Sequence, residues 1–131
     1  MPDHELARTL LQAAESDLKA LEHMLDPEAF DDRVFGFHAQ QAVEKALKAW
    51  LHLVTGEHPF THDLSLLLHL LETRGVDVSP WWEFLDLSGY AVRFRYEMFP
   101  EGEELLDREL LAVSVRSLVR RVRGMVFPAT A

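Results

Sequence analysis

The chain contains no cysteine in its 131 residues. That absence excludes disulfides, thiolate zinc sites and cysteine nucleophiles, and it suits a reducing compartment. Long hydrophobic runs are missing too. The most apolar stretch, LSLLLHLLE from Leu64 to Glu72, falls well short of the roughly 20 residues that cross a bilayer. The opening MPDHELARTL lacks the basic region and apolar core of a signal peptide. The expectation is a cytoplasmic chain with no membrane partner. Positive charge is scarce: 13 Lys and Arg stand against 22 Asp and Glu, a net charge of −9 with His neutral. Coating nucleic acid by bulk electrostatics needs clustered cations, so only a local basic site stays open. Alternating strand patterns, sustained heptads and internal repeats are also absent. At this length the chain reads as one domain, residues 1–131, with enough material for a proper core.

What is present is helical periodicity. The longest uninterrupted pattern is Phe35 to Leu53, FGFHAQQAVEKALKAWLHL. At helical spacing, Ala39, Ala42, Val43, Ala46, Leu47, Trp50, Leu51 and Val54 share one broad arc. An arc this wide predicts a helix buried against more than one neighbour. His38, Gln41, Glu44, Lys45, Lys48 and His52 form a polar stripe on the other side. Such a stripe is an ordinary solvated face or one wall of a cleft, and the pattern alone favours the solvated face. This central helix is expected to start at Asp31 or Asp32 and to stop at Thr55–Gly56, where Gly56 suits a C-cap.

Four further helices are expected. The first spans Asp3 to Leu25, with Asp3 as N-cap and an apolar face of Leu6, Leu10, Ala13, Ala14, Leu21 and Met24. Asp17 falls within that face. Either it pairs with a cation at the edge of the core, or it lines a polar cleft between helices. Pro27 ends this helix. Thr61 is expected to cap a short helix from His62 to Thr73, carrying Leu64, Leu67, Leu68 and Leu71, with Gly75 beyond its stop. Ser79–Pro80 starts a helix running to Tyr96 that holds Trp81, Trp82, Phe84, Tyr90 and Phe94. The last runs from Glu103 to Val126, acidic at its start and basic at its end (Arg116, Arg120, Arg121, Arg123), as the helix dipole favours. The fold class is therefore all-α, a four-helix up-down bundle with a short extra helix.

Catalytic signatures are thin. The seven histidines show no helical His pair with the Glu of a zinc protease, and no metal or cofactor is expected. A phosphate-cradling Gly loop and a G-x-S-x-G elbow are both lacking. Two constellations remain. One is the stripe on the central helix. The other is YAVRFRY, Tyr90 to Tyr96, where Arg93 and Arg95 beside Tyr96 could hold a phosphate and stack on a base. The same aromatics would equally serve a core, with the arginines paired to the excess carboxylates.

The runs FHAQQAVEKALKAWL (Phe37 to Leu51), PFTHDLSLLL (Pro59 to Leu68) and YAVRFRY together resemble the HEPN domain, the higher eukaryotes and prokaryotes nucleotide-binding family. The resemblance covers nearly the whole chain. It implies a HEPN-type four-helix bundle, often a homodimer. Some members are metal-independent endoribonuclease toxins that carry Arg, four to six residues, then His near the later helices. Others are nucleotide- or RNA-binding modules, and many small ones work beside a minimal nucleotidyltransferase. This chain departs from the ribonuclease pattern, because no His follows Arg93 or Arg95. Arg33 and His38 have the right separation but stand at the wrong end, as a chance match would. The reading is a HEPN protein that binds a nucleotide or RNA in an interhelical cleft and acts with a nucleotidyltransferase, in a toxin–antitoxin type module. An endoribonuclease toxin and a non-catalytic interaction module are the alternatives. Enzymatic activity is not the leading expectation. The candidate site comprises Asp17, His38, Gln41, Lys45, Arg93, Arg95 and Tyr96, with Arg93, Arg95 and His38 the weak catalytic candidates. In that reading the Lys and Arg side chains hold phosphate, Tyr96 stacks, and Gln41 orients the ligand.

Overall fold

A computed structural model of the chain describes residues 4–87 and 107–128. Every regular element among them is helical: α1 (His4–His23), α2 (Asp32–Thr55), α3 (Leu64–Glu72), a 3₁₀ helix η1 (Ser79–Leu87) and α4 (Arg108–Val126). The helices α1, α2 and α4 pack against one another, while α3 and η1 pack on α2. The all-α class read from the periodicity is the observed one. Among the described residues no helix is long and apolar enough to cross a membrane. Arg93, Arg95, Tyr96 and the second half of the expected fourth helix lie outside the described residues, as does Asp3.

The central position of α2 follows from its sequence. The Asp31 side chain accepts from the Val34 amide at 2.9 Å, and Gly56 closes the helix at φ 84°, where a side chain would be strained. The apolar arc is buried from Ala39 to Leu51, and only Val54, 39% exposed, escapes it. Its alanines at positions 39, 42, 46 and 49 are all buried. Short side chains let neighbours approach α2 from more than one side.

Four expectations are corrected. The face of α1 is Ala7, Leu11, Ala14, Leu18 and Leu21, and Leu6 is exposed. Leu6, Leu10, Ala13 and Met24 flank the true seam on one side, so the apolar residues alone set the arc too far to that side. The cap of α3 is Asp63 rather than Thr61. Its carboxylate accepts from the Ser65 amide at 2.9 Å, while the Thr61 hydroxyl accepts from the Asp63 amide. An ionised carboxylate is the stronger acceptor for orphan helix amides. The turn after α3 closes on Gly75 at φ 85°, with the Val76 amide reaching back to the Leu71 carbonyl.

The start at Ser79–Pro80 is real, but the described part of that element is a 3₁₀ helix. Trp81, Phe84 and Leu87 are its buried residues, three apart, which is the 3₁₀ repeat. Lastly, α4 begins at Arg108, because Asp107 is extended and its side chain accepts from the Leu110 amide at 3.1 Å.

Arg108 closes the bundle and was not anticipated. It is only 5% exposed. Its guanidinium donates to the carbonyls of Met24 (2.7 Å), Asp26 (3.2 Å) and Phe30, and to Asp32 Oδ1 (2.9 Å). It also lies over the Phe35 ring at 5.0 Å. One side chain thereby fixes the α1–α2 connection to the start of α4. By contrast, the Arg116–Glu22 and Arg123–Glu15 pairs sit at the surface between α4 and α1. We predict that Arg108→Ala destabilises the fold by about 3 kcal/mol or more, because it removes a buried guanidinium from three loop carbonyls and from the half-buried Asp32 carboxylate. Arg116→Ala should cost less than about 1 kcal/mol. Urea unfolding of the two variants checks the contrast.

Candidate functional site

The site grows from one misplaced-looking residue. Asp17 sits beside the apolar seam of α1, and its side chain is 14% exposed. A carboxylate there must be compensated. Two residues of α2 supply the partners, seven positions apart and therefore about two helical turns apart on one face. His38 Nδ1 meets Asp17 Oδ1 at 3.0 Å, and Lys45 Nζ donates to Oδ2 at 2.7 Å. Both side chains stay 29% exposed, so the cluster reaches solvent. The His38 contact requires its proton on Nδ1. That leaves Nε2 as the basic nitrogen, the arrangement by which a carboxylate orients a general base.

A second, drier cluster begins one position away on the same helix. Glu44 accepts from Gln40 Nε2 and His62 Nδ1, both at 2.8 Å on Oε1, and from Lys48 Nζ at 3.0 Å on Oε2. Gln40 and Glu44 are buried, and Lys48 is nearly so. Gln40 also donates to the His62 carbonyl at 3.3 Å, and Gln41 donates to Gln40 Oε1 at 2.7 Å. Burial alone would raise the Glu44 pKa. The hydrogen bonds from Gln40, His62 and Lys48, together with the Lys48 charge, outweigh it and hold the carboxyl below its ordinary range. The polar stripe of α2 is thus not a solvated face. Glu44, Lys48 and His52 are buried, while His38, Gln41 and Lys45 are half-buried.

The structure brings Asp17, His38 and Lys45 into one hydrogen-bonded group. Gln41 belongs to the neighbouring group through Gln40. Lys45 is already tied to a carboxylate, so any anion would compete with Asp17 for it. Arg33, five residues before His38 on α2, lies about 140° around the helix from it, and it approaches Asp31 at 3.8 Å. The two do not form a joint site. Sequence reasoning overlooked Gln40 as a buried hub and His62 as a partner of Glu44. The doubled Gln40–Gln41 at the edge of an apolar arc was the available signal for the first. A contact between residues 18 apart, across the last turns of α2 and the loop after it, gave none for the second.

The Glu44 network generates a pH prediction. A carboxyl whose folded pKa is depressed contributes stability above its unfolded value, near 4.5, and loses it as pH falls through the folded value. Glu44→Gln should therefore destabilise the protein clearly at neutral pH, by about 3 kcal/mol, since it strands the Lys48 ammonium. The gap between variant and parent should narrow as pH falls below about 4.5 and Glu44 itself is protonated. Urea midpoints measured across that range test it, and a gap independent of pH would contradict it.

No curated protein and no solved structure matches this chain. The family model of the HEPN domain matches residues 7–126, from the first buried residue of α1 to the last of α4. With most of the chain inside that match and an all-helical bundle built on the central α2, the protein belongs to the HEPN domain family.

Proposed function

We propose that this HEPN protein binds a nucleotide or an RNA end in the cleft between α1 and α2 and acts with a nucleotidyltransferase partner, in a module of toxin–antitoxin type. The observation that carries the reading is the convergence of Asp17, His38 and Lys45 on a partly accessible polar seam. The three ionisable groups are half-buried between the helices yet still reach solvent, which leaves them within reach of a polar ligand. In this reading His38 and Lys45 meet the phosphate. Arg93 and Arg95 add charge, Tyr96 stacks on the base and Gln41 orients the ligand. Lys45 must trade Asp17 for phosphate, so the ligand contact is an exchange, and its affinity should fall as salt rises. A homodimer is part of the proposal, as symmetric dimers are the commonest soluble assemblies. Of the three tryptophans, Trp50 and Trp81 are core, and Trp82, 57% exposed, is the one placed to serve such a contact.

Titration of the purified protein with ATP and with short RNA tests the ligand. Binding is expected, weakened about tenfold or more by Lys45→Ala and by Arg93→Ala, which remove charge-assisted contacts. No binding of either ligand would overturn the reading. Recovery of a nucleotidyltransferase without any nucleotide affinity would favour a non-catalytic interaction module instead.

A second reading rests on one contact. The Asp17-oriented His38 has the geometry of a general base, which metal-independent RNA cleavage requires for the 2′-hydroxyl proton. An arginine would then stabilise the phosphate in the transition state. This predicts RNA cleavage in the presence of chelator, abolished by His38→Ala. Intact RNA after incubation would exclude it.

A further inference from the structure

Beyond the Asp17 cleft, the loop from Gly56 to Asp63 presents a different problem. It runs from the end of α2 to the cap of α3 and lies over the buried part of the polar stripe. Its attachments are few. Thr55 Oγ1 donates to the Glu57 carbonyl at 2.9 Å, the His62 ring reaches Glu44 at 2.8 Å, and the His62 carbonyl accepts from Gln40. Phe60, in the same loop, is fully exposed.

Beneath the loop, His52 of α2 meets His58 edge to face, with ring centroids 4.5 Å apart. His52 is 5% exposed. Neither of its ring nitrogens has a hydrogen-bond partner, and His58 Nδ1 has none either, although all three atoms are out of solvent. A neutral imidazole always carries one N–H and one lone pair. Leaving them unmet in a dry contact costs free energy, and buried orphans of this kind are rare enough to need a reason. No group of three His, Asp or Glu among the described residues is arranged to hold a metal ion, so a shared ion does not supply it.

We propose that the His52–His58 pair is a pH-sensitive latch: in the neutral form it seats the start of the 56–63 loop on α2, and protonation releases that part of the loop, while His62 keeps the far end on Glu44. The charges around the pair set the direction. From α2, Lys48 opposes a second cation and Glu44 favours it. From the loop come Glu57 and His62, and Arg74, just beyond α3, shares with His58 and Glu57 the wall of a cleft of about 410 Å³. Burial, then His52, then Lys48 lower the His58 pKa below its ordinary 6.5, and Glu44 only partly offsets them. A depressed folded pKa means that the neutral ring stabilises the closed loop above about pH 6.5, and that this contribution is lost as pH falls below it. The adjoining cleft offers the charged ring a route to water.

Hydrogen exchange of the intact chain at about pH 7.5 and about pH 5.5, corrected for intrinsic rates, tests the latch. The amides of Gly56 and Glu57, which donate to the His52 carbonyl and the Thr55 hydroxyl, should lose protection by roughly tenfold or more at the lower pH, while the interior of α1 stays unchanged. Equal protection at both pH values overturns the proposal. In His58→Phe, which keeps an aromatic edge but cannot titrate, the loop should stay protected at both. A folded His58→Phe protein that still loses protection on acidification overturns it equally. Should that variant fail to fold, His52→Phe poses the same question, and the wild-type comparison decides the matter without either.

Discussion

Two carboxylates withdrawn from water organise this bundle. Asp17 and Glu44 are both largely buried, and a buried carboxylate is costly unless close cations and donors surround it. The α2 stripe meets that requirement at both places. His38 and Lys45 turn one way, onto α1, while Gln40 and Lys48 turn the other way, to Glu44, under the loop before α3. The rotation of α2 about its own axis is therefore pinned twice by charge as well as by its apolar arc. Apolar contacts tolerate sliding, whereas hydrogen-bonded ion pairs do not. Polar pairing of this kind supplies register even where its net contribution to stability is small.

Arg108 plays the complementary part at the end of the bundle. The loop between α1 and α2 ends in carbonyls that no helix satisfies. A single planar guanidinium gathers three of them and ties them to Asp32 at the start of α2. Five donors in a fixed fork suit this task, and a lysine would reach fewer acceptors. The three long helices are thus joined by apolar packing along their length and by directed hydrogen bonds at one end.

Much of this was legible in the chain. The limits of α2, from Asp31 to Gly56, follow from capping chemistry and were read correctly, as were the four leucines of α3. The HEPN resemblance rested on three runs, of which the most specific, Phe37–Leu51, lies within the helix that proves central in space. Other features were legible only in part. The suspicion over Asp17 was sound, but its partners on α2 lay 21 and 28 residues away, and nothing local names them. The stripe looked solvated because buried ion pairs and surface charge share one sequence pattern. Arg108 gave no signal while the helix was taken to start at Glu103; only with the start at Arg108 does its charge oppose the helix dipole and so imply another employment. The element after Ser79–Pro80 was expected as an α-helix, although Trp81, Phe84 and Leu87 stand three apart, the repeat of a 3₁₀ helix. Of the proposed site, only Asp17, His38, Gln41 and Lys45 fall among the described residues.

If the α2 stripe is an internal polar seam, Asp17 and Lys45 must be energetically coupled across the α1–α2 boundary. A double-mutant cycle with Asp17→Asn and Lys45→Met, read by urea unfolding, measures that coupling directly. A buried seam predicts a coupling of about 1 kcal/mol or more that persists in high salt. A coupling near zero, or one removed by salt, would contradict the account, because Asp17 and Lys45 would then not hold α2 in register on α1.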